Sequence, residues 1–249
     1  MFASVIIPCY NREKTIDRAI GSIANQSIFR AKKNWEVLVI DDASTDKTKE
    51  RIIAWEEKYP KNVIGIKFNE HKERVIATNS GITYARGDWV IRLDSDDELA
   101  GHFIQAFEDA VKMYPDAKLF TWGSLMHVRN KDAQYYRTEV KPAYQPPTDE
   151  DGNILPFKSG GIRFGSFAFK KELIWTTHFL PTVSNCYSLG EWALKRFPEL
   201  IPLYTELDGR VHHDLGNPFG DDFILFYMLC KVALPIPLNQ VLHSVHVRL

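Results

Sequence analysis

Cysteine is scarce in this chain: Cys9, Cys186 and Cys230 are the only three in 249 residues, odd in number and widely spaced. That pattern excludes a disulfide framework and a cysteine-based zinc site, and it fits a reducing compartment. No uninterrupted apolar run approaches the ~18 residues of a membrane-spanning helix. Met1 leads almost at once into a strand-like run, with no basic-then-apolar leader. The expectation is a cytoplasmic chain, with peripheral membrane contact left open. An excess of one charge is missing too, since 31 basic residues face 32 acidic ones for a net charge of −1. Such a balance leaves no electrostatic footprint for nucleic acid, so any anion site has to be local. A glycine-rich phosphate loop is also absent. Pro8-Cys9-Tyr10-Asn11 follows the first strand-like run, which argues against a dinucleotide-dependent oxidoreductase and a sugar nucleotidyltransferase.

What the chain does have is a regular alternation of two periodicities. Ala3 to Pro8 is a short β-branched run, followed by Ile16, Ala19, Ile20 and Ile23 at helical spacing. Trp35 to Ile40 predicts a buried strand, and Ser44 or Asp46 can cap a helix carrying Thr48, Ile52, Trp55 and Tyr59 on one face. Val63 to Phe68 predicts a third strand, Val75 to Ala85 a helix closed by Gly87, and Trp89 to Leu93 a fourth strand. Phe103, Phe107, Ala110 and Tyr114 mark another helix before a strand at Lys118 to Trp122. Strands alternating with helices predict an α/β domain with a mostly parallel, doubly covered sheet.

After about Met126 the regularity fades, and Lys141 to Gly161 reads as a long loop rich in proline. The expected division is therefore residues 1–125 and 126–249, two halves of one domain. The second half offers a strand at Ile162 to Phe169, a short helix after Lys170, a helix containing Trp192, and an apolar helix from about Asp221 to Val232. Lys170 and Lys171 read as a solvated helix start.

In an open parallel sheet, ligands bind beyond the carboxyl ends of the strands. Here those ends are acidic: the second strand runs into Asp41-Asp42 and the fourth into Asp94-Ser95-Asp96-Asp97. If the chain stays extended, Asp94 and Asp96 point the same way and can present oxygens to one hard cation. Strand termination and helix capping are the plainer role for any single cluster. Two on successive strand ends suggest a divalent ion that holds mutually repelling carboxylates together.

Four segments carry a resemblance: Ser4-Val-Ile-Ile-Pro-Cys-Tyr-Asn11, Val39-Ile-Asp-Asp-Ala-Ser-Thr-Asp46, Ala77-Thr-Asn-Ser-Gly81 and Ala85-Arg-Gly-Asp-Trp-Val-Ile-Arg-Leu-Asp-Ser-Asp-Asp97. In this order and spacing the chain resembles the family 2 glycosyltransferases of the GT-A fold, over about its first 100 residues. The second half matches loosely, through Phe164 to Glu172 and Gly220-Asp-Asp-Phe223. The resemblance implies a Rossmann-like nucleotide-binding half, an acceptor-binding C-terminal half, and inverting transfer of a sugar from a nucleotide diphosphate. It implies that Pro8, Tyr10 and Asn11 line the nucleotide pocket, that Asp42 accepts a hydrogen bond from the base, and that Asp41 lies beside it. A carboxylate suits the imide N–H of uracil, which favours UDP-sugars. The family's Asp-x-Asp element falls on Asp94 and Asp96, implying with Ser95 and a helping Asp97 a site for Mn²⁺ or Mg²⁺ against the diphosphate. Arg74 and Asn79 lie where relatives approach the donor.

His243 and His246 alternate with Leu242, Val245 and Val247 as in a strand, and His246 is the better candidate for the histidine that some relatives place near a metal or phosphate. His212-His213-Asp214 is discounted as a metal cluster because adjacent side chains diverge. The acceptor hydroxyl needs a base, for which Asp221 and Asp222 are the candidates; Asp222 matches the second position of the family's acidic pair, while Asp221 replaces its usual Glu. Both also suit a helix start. A glycan, a lipid-linked or another hydroxyl acceptor stays open, as does the oligomeric state. The alternative is a catalytically silent protein that binds carbohydrate or nucleotide-sugar.

Overall fold

The computed structural model describes residues 2–32, 34–129, 135–156, 165–177, 195–200 and 221–248. In chain order the elements are β1 (Ala3–Cys9), α1 (Ile16–Ala24), α2 (Ser27–Lys32), β2 (Trp35–Asp41), α3 (Thr48–Lys58), β3 (Val63–Lys67), α4 (Arg74–Tyr84), β4 (Trp89–Arg92), β5 (Glu98–Leu99) and α5 (Phe103–Met113). They continue with β6 (Leu119–Arg129), β7 (Tyr135–Lys141), β8 (Phe167–Lys170), α6 (Leu173–Thr177), a single 3₁₀ turn at Pro198–Leu200, α7 (Asp221–Cys230) and β9 (Ile236–Arg248).

The described strands form one sheet in the order β3-β2-β1-β4-β8-β6-β9-β5, with β7 on the outer part of β6. Neighbours among β3, β2, β1 and β4 are parallel, as the strand-helix alternation predicts. Beyond β4 the sheet is mixed: β8 is antiparallel to both β4 and β6, β9 is parallel to β6, and β5 is antiparallel to β9. β1 and β2 are buried at every position, since helices cover both faces of the sheet.

The two-residue period of the strands divides the core. Ile6, Leu38, Ile40, Val90, Leu119 and Phe169 face α4, α6 and α7 through Ala77, Ile82, Leu173, Ile174 and the run Ile224 to Cys230. Val5, Ile7, Val37, Val39, Ile91 and Phe120 face the other way, against Ile16, Ile20 and Ile23 of α1 and Phe103, Ile104 and Phe107 of α5. Gly81 lets α4 press onto β1, where an added Cβ would stand 2.2 Å from Cγ2 of Ile6. This close approach places the N-terminus of α4 beside the carboxyl ends of β1 and β2.

Several expectations change. β6 is much longer than Lys118 to Trp122 because its polar outer half pairs with β7 on one side and β9 on the other. The boundary between residues 125 and 126 therefore falls inside a strand. β7, β5 and α2 are further elements that apolar periodicity did not mark. Lys171 is not a free surface cation: its Nζ donates to the carbonyls of Ala85 and Thr83, where α4 ends and exposes unpaired acceptors. The expected strand at Ile162 starts at Phe167, its first three residues and the Trp192 helix lying outside the described residues. Among the described residues no helix is long and apolar enough to cross a membrane.

Candidate functional site

A cleft of about 460 Å³ opens at the carboxyl ends of β1, β2 and β4. Pro8, Cys9, Tyr10 and Arg12 line it from the end of β1, Asp42 from the end of β2, and Ser95 and the aspartates 94, 96 and 97 from the end of β4. His71, Glu73, Arg74 and Ala77 come from the start of α4, and Val245 and His246 from β9. The topology thus gathers on one wall most of the residues singled out from sequence, and adds Arg12, His71 and Glu73.

Asp42 is buried with both oxygens engaged. Its Oδ1 accepts the amide N–H of Lys72 at 2.7 Å, and its Oδ2 lies 2.9 Å from Nδ1 of His71. Asp41, next along the chain, turns inward. Its Oδ1 accepts the N–H of Ser44 at 2.9 Å, and Lys67 Nζ lies 3.9 Å from Oδ2. Successive side chains at a strand end point opposite ways, so only one of the pair reaches the cleft. Asn11 is also off the wall: its Oδ1 accepts the N–H of Thr45 at 2.9 Å, tying the β1 loop to the β2 loop. Asn79 sits one turn and a half into α4 and does not line the cleft, whereas Arg74, the first residue of that helix, does.

The acidic segment after β4 is not extended. The N–H of Asp97 donates to the carbonyl of Asp94 at 3.1 Å, closing a turn. Asp94 and Asp96 face the same cleft through that turn, and not through the period of a strand. Asp94 is ion-paired with Arg92, a buried side chain of β4. Burial pushes the Asp94 carboxyl up, but Arg92, Arg74 and His243 outweigh it and hold the group below the usual carboxylate range. Asp96 has the opposite balance: burial and the neighbouring charges of Asp94 and Asp97 push it above that range.

Asp97 uses both oxygens on β9. Oδ2 lies 3.2 Å from Nε2 of His243, and Oδ1 accepts the backbone N–H of His246 at 3.1 Å. Nδ1 of His243 is in turn 3.1 Å from Oγ of Ser124. Gly165, at φ +88°, makes room for this imidazole, since an added Cβ would stand 2.5 Å from its Nε2. The ring of His246 bonds Glu98 at 2.9 Å and stacks on His127, so its backbone and not its imidazole meets the aspartates. Burial, with the charge of Asp41 beside it, pushes the Cys9 thiol up, so it stays protonated.

Among the described residues no three acidic, histidine or cysteine side chains converge on a metal position. The donor chemistry still suits a hard divalent ion. Asp96 has no salt-bridge partner among the described residues, and the carboxylates crowding it favour any cation brought to the cleft. Asp221 and Asp222 open α7, but their side chains, like His212, His213 and Asp214, lie outside the described residues.

Arg92 and the pairing of His243 with Asp97 were missed from sequence. An arginine within the apolar run Trp89 to Leu93 was a usable signal, because a buried cation needs a carboxylate close by. Nothing in the sequence distinguished His71.

A carboxylate-rich cleft at the carboxyl edge of a mixed, helix-covered sheet is where an open α/β fold takes its ligands. The sequence matches Glycosyl transferase family 2 over residues 4–175, and the chain belongs to that family. It is 40% identical over 192 residues, 72% of this chain and 58% of the relative, to a dolichyl N-acetyl-alpha-D-glucosaminyl phosphate 3-beta-D-2,3-diacetamido-2,3-dideoxy-beta-D-glucuronosyltransferase of Methanococcus voltae. The fold is GT-A. It resembles S. aureus TarS 1-349 in complex with UDP-GlcNAc, with a TM-score of 0.58, 16% identity and coverage of 100% of this chain and 59% of that one. It also resembles GalNAc-T7 with UDP, GalNAc and Mn²⁺, with a TM-score of 0.62, 17% identity and coverage of 100% and 43%. The chain spans less than two thirds of the length of each of these proteins.

Proposed function

We propose that the chain transfers a sugar from a nucleotide diphosphate donor, with UDP-sugars favoured, to a hydroxyl acceptor, and inverts the anomeric centre. The observation that carries this reading is the meeting of Tyr10, Asp42, Arg74 and the acidic turn from Asp94 to Asp97 in one cleft. Tyr10 offers a face for a base and Asp42 an acceptor for an imide N–H. Arg12 and Arg74 supply positive charge near a diphosphate. A divalent cation, Mn²⁺ or Mg²⁺, would be held by Asp96 with Asp94 and would neutralise charge on the leaving diphosphate. Arg92 keeps Asp94 ionised and therefore able to ligate, while Asp97 holds the acidic turn against β9.

Asp222, with Asp221 beside it, is the proposed base for the acceptor hydroxyl, on the strength of sequence. Relatives whose names include dolichyl N-acetyl-alpha-D-glucosaminyl phosphate or diphosphoundecaprenol make a lipid-linked acceptor the favoured class. A cytoplasmic face of a membrane would suit such a substrate. The 1–125 and 126–249 division is retained as a functional one, donor side and acceptor side.

Calorimetry of UDP binding with Mn²⁺ and with excess chelator tests the donor site. Binding that strengthens at least tenfold with the metal, and loses that dependence in Asp96→Ala, is expected. Equal affinity in chelator would remove the metal from the proposal. Release of free sugar or transfer product from a UDP-sugar separates an enzyme from a silent binding protein.

A further inference from the structure

The base end of the cleft is already occupied by a side chain of the protein. His71, in the loop between β3 and α4, rests on Tyr10 with ring centroids 4.2 Å apart and 32° between the planes. Its Nδ1 lies 2.9 Å from Oδ2 of Asp42 and 3.3 Å from the same residue's carbonyl oxygen. A ring nitrogen facing two oxygens carries the proton, so the imidazole donates to Asp42. A ring laid on Tyr10 that gives an N–H to Asp42 makes the two contacts that a uracil base would make there.

The arrangement leaves no space for both. A third ring cannot enter between two whose centroids are 4.2 Å apart, because it would have to stack on both and so needs about twice that separation. Asp42 is also closed from the other side, by the Lys72 amide. The loop that carries His71 is held under backbone strain. Glu73, two residues on, holds φ 77° and ψ 152°, a backbone region that only glycine adopts without strain. His71 itself is 43% exposed at the side chain while Asp42 beneath it is 4% exposed, so the ring covers the carboxylate as a lid.

We propose that His71 is a plug that mimics the base: it holds Tyr10 and Asp42 and must vacate both for a nucleotide to bind. The proposal rests on reading this cleft as the donor site. Base choice then lies with Asp42. An incoming base has to replace an N–H donor on Asp42, which the imide of uracil does and the acceptor N3 of cytosine does not. The opening cost itself is the same for either base, so the plug lowers both affinities by one factor while Asp42 sets the preference between them.

The test is calorimetry of UDP and CDP, with Mn²⁺, on the full chain and on His71→Ala, Tyr10→Ala and Asp42→Asn, each checked as folded by thermal melting. His71→Ala is expected to tighten UDP about tenfold, since apparent affinity scales with the fraction of open cleft. CDP should gain by the same factor, so that the ratio between the two stays unchanged. His71→Asn, which can still reach Asp42 but cannot stack, should fall between. Weaker or unchanged UDP binding in His71→Ala overturns the plug, the first result making His71 a direct base contact. If UDP affinity is also indifferent to Tyr10→Ala and Asp42→Asn, the donor reading of the cleft has failed. If those two weaken UDP and His71→Ala does not tighten it, the plug alone has failed.

Discussion

Asp94 and Asp96 are two residues apart and carry opposite electrostatic balances. The depressed carboxyl of Asp94 contributes stability above the range where carboxylates ionise in the unfolded chain, and that contribution is lost as pH falls through its lower folded value. Asp96 is raised, so its contribution is present at low pH and is lost as pH rises through its folded value, leaving an ionised group that opposes folding near neutrality. Asp96→Asn is therefore expected to raise the melting temperature at pH 7, with the gain vanishing at pH 3, while abolishing the metal dependence of UDP binding. A lower melting temperature at pH 7 would show that the carboxylate is structurally supported. The second prediction at this scale concerns the base. Asp222→Asn keeps shape and removes basicity, so turnover should fall by about 10²–10⁴ with UDP affinity unchanged. Proton NMR of the product should show an inverted anomeric centre; retention would exclude a single displacement.

At the level of elements, the loops at the carboxyl edge of the sheet show where strain is held. Glu73 is exposed at its side chain and strained at its backbone, so Glu73→Gly should stabilise the chain by about 1 kcal/mol, read from denaturant midpoints. Gly165 is the reverse case. A side chain there meets both a positive φ and the imidazole of His243, and Gly165→Ala should cost about 2 kcal/mol or more. It should also disturb UDP binding, because His243 holds Asp97 and Asp97 holds the acidic turn. An unchanged melt and an unchanged affinity would show that the β8 end can shift without reaching the cleft.

Across the molecule, strands from both proposed halves share one sheet: β8 lies between β4 and β6, and β9 between β6 and β5. A single thermal transition is expected, by calorimetry with equal van't Hoff and measured enthalpies; two resolved transitions would mean independent halves. The sequence determined β1 to β4 and the helices α1, α3 and α4 between them, because continuous apolar runs and helical stripes are local signals that burial on two faces makes strong. It also supplied the acidic strand ends, since carboxylates after buried strands are visible without contacts. Which carboxylate does what was decided only in three dimensions. Side-chain alternation turned Asp41 inward and Asp42 outward, a turn brought Asp94 and Asp96 to one cleft, and Arg92 and His243 reached Asp94 and Asp97 from within β4 and from β9. Those partners lie from two to 146 residues away from the groups they hold. Pairing across 146 residues depends on strand order and register, and neither is written in local periodicity.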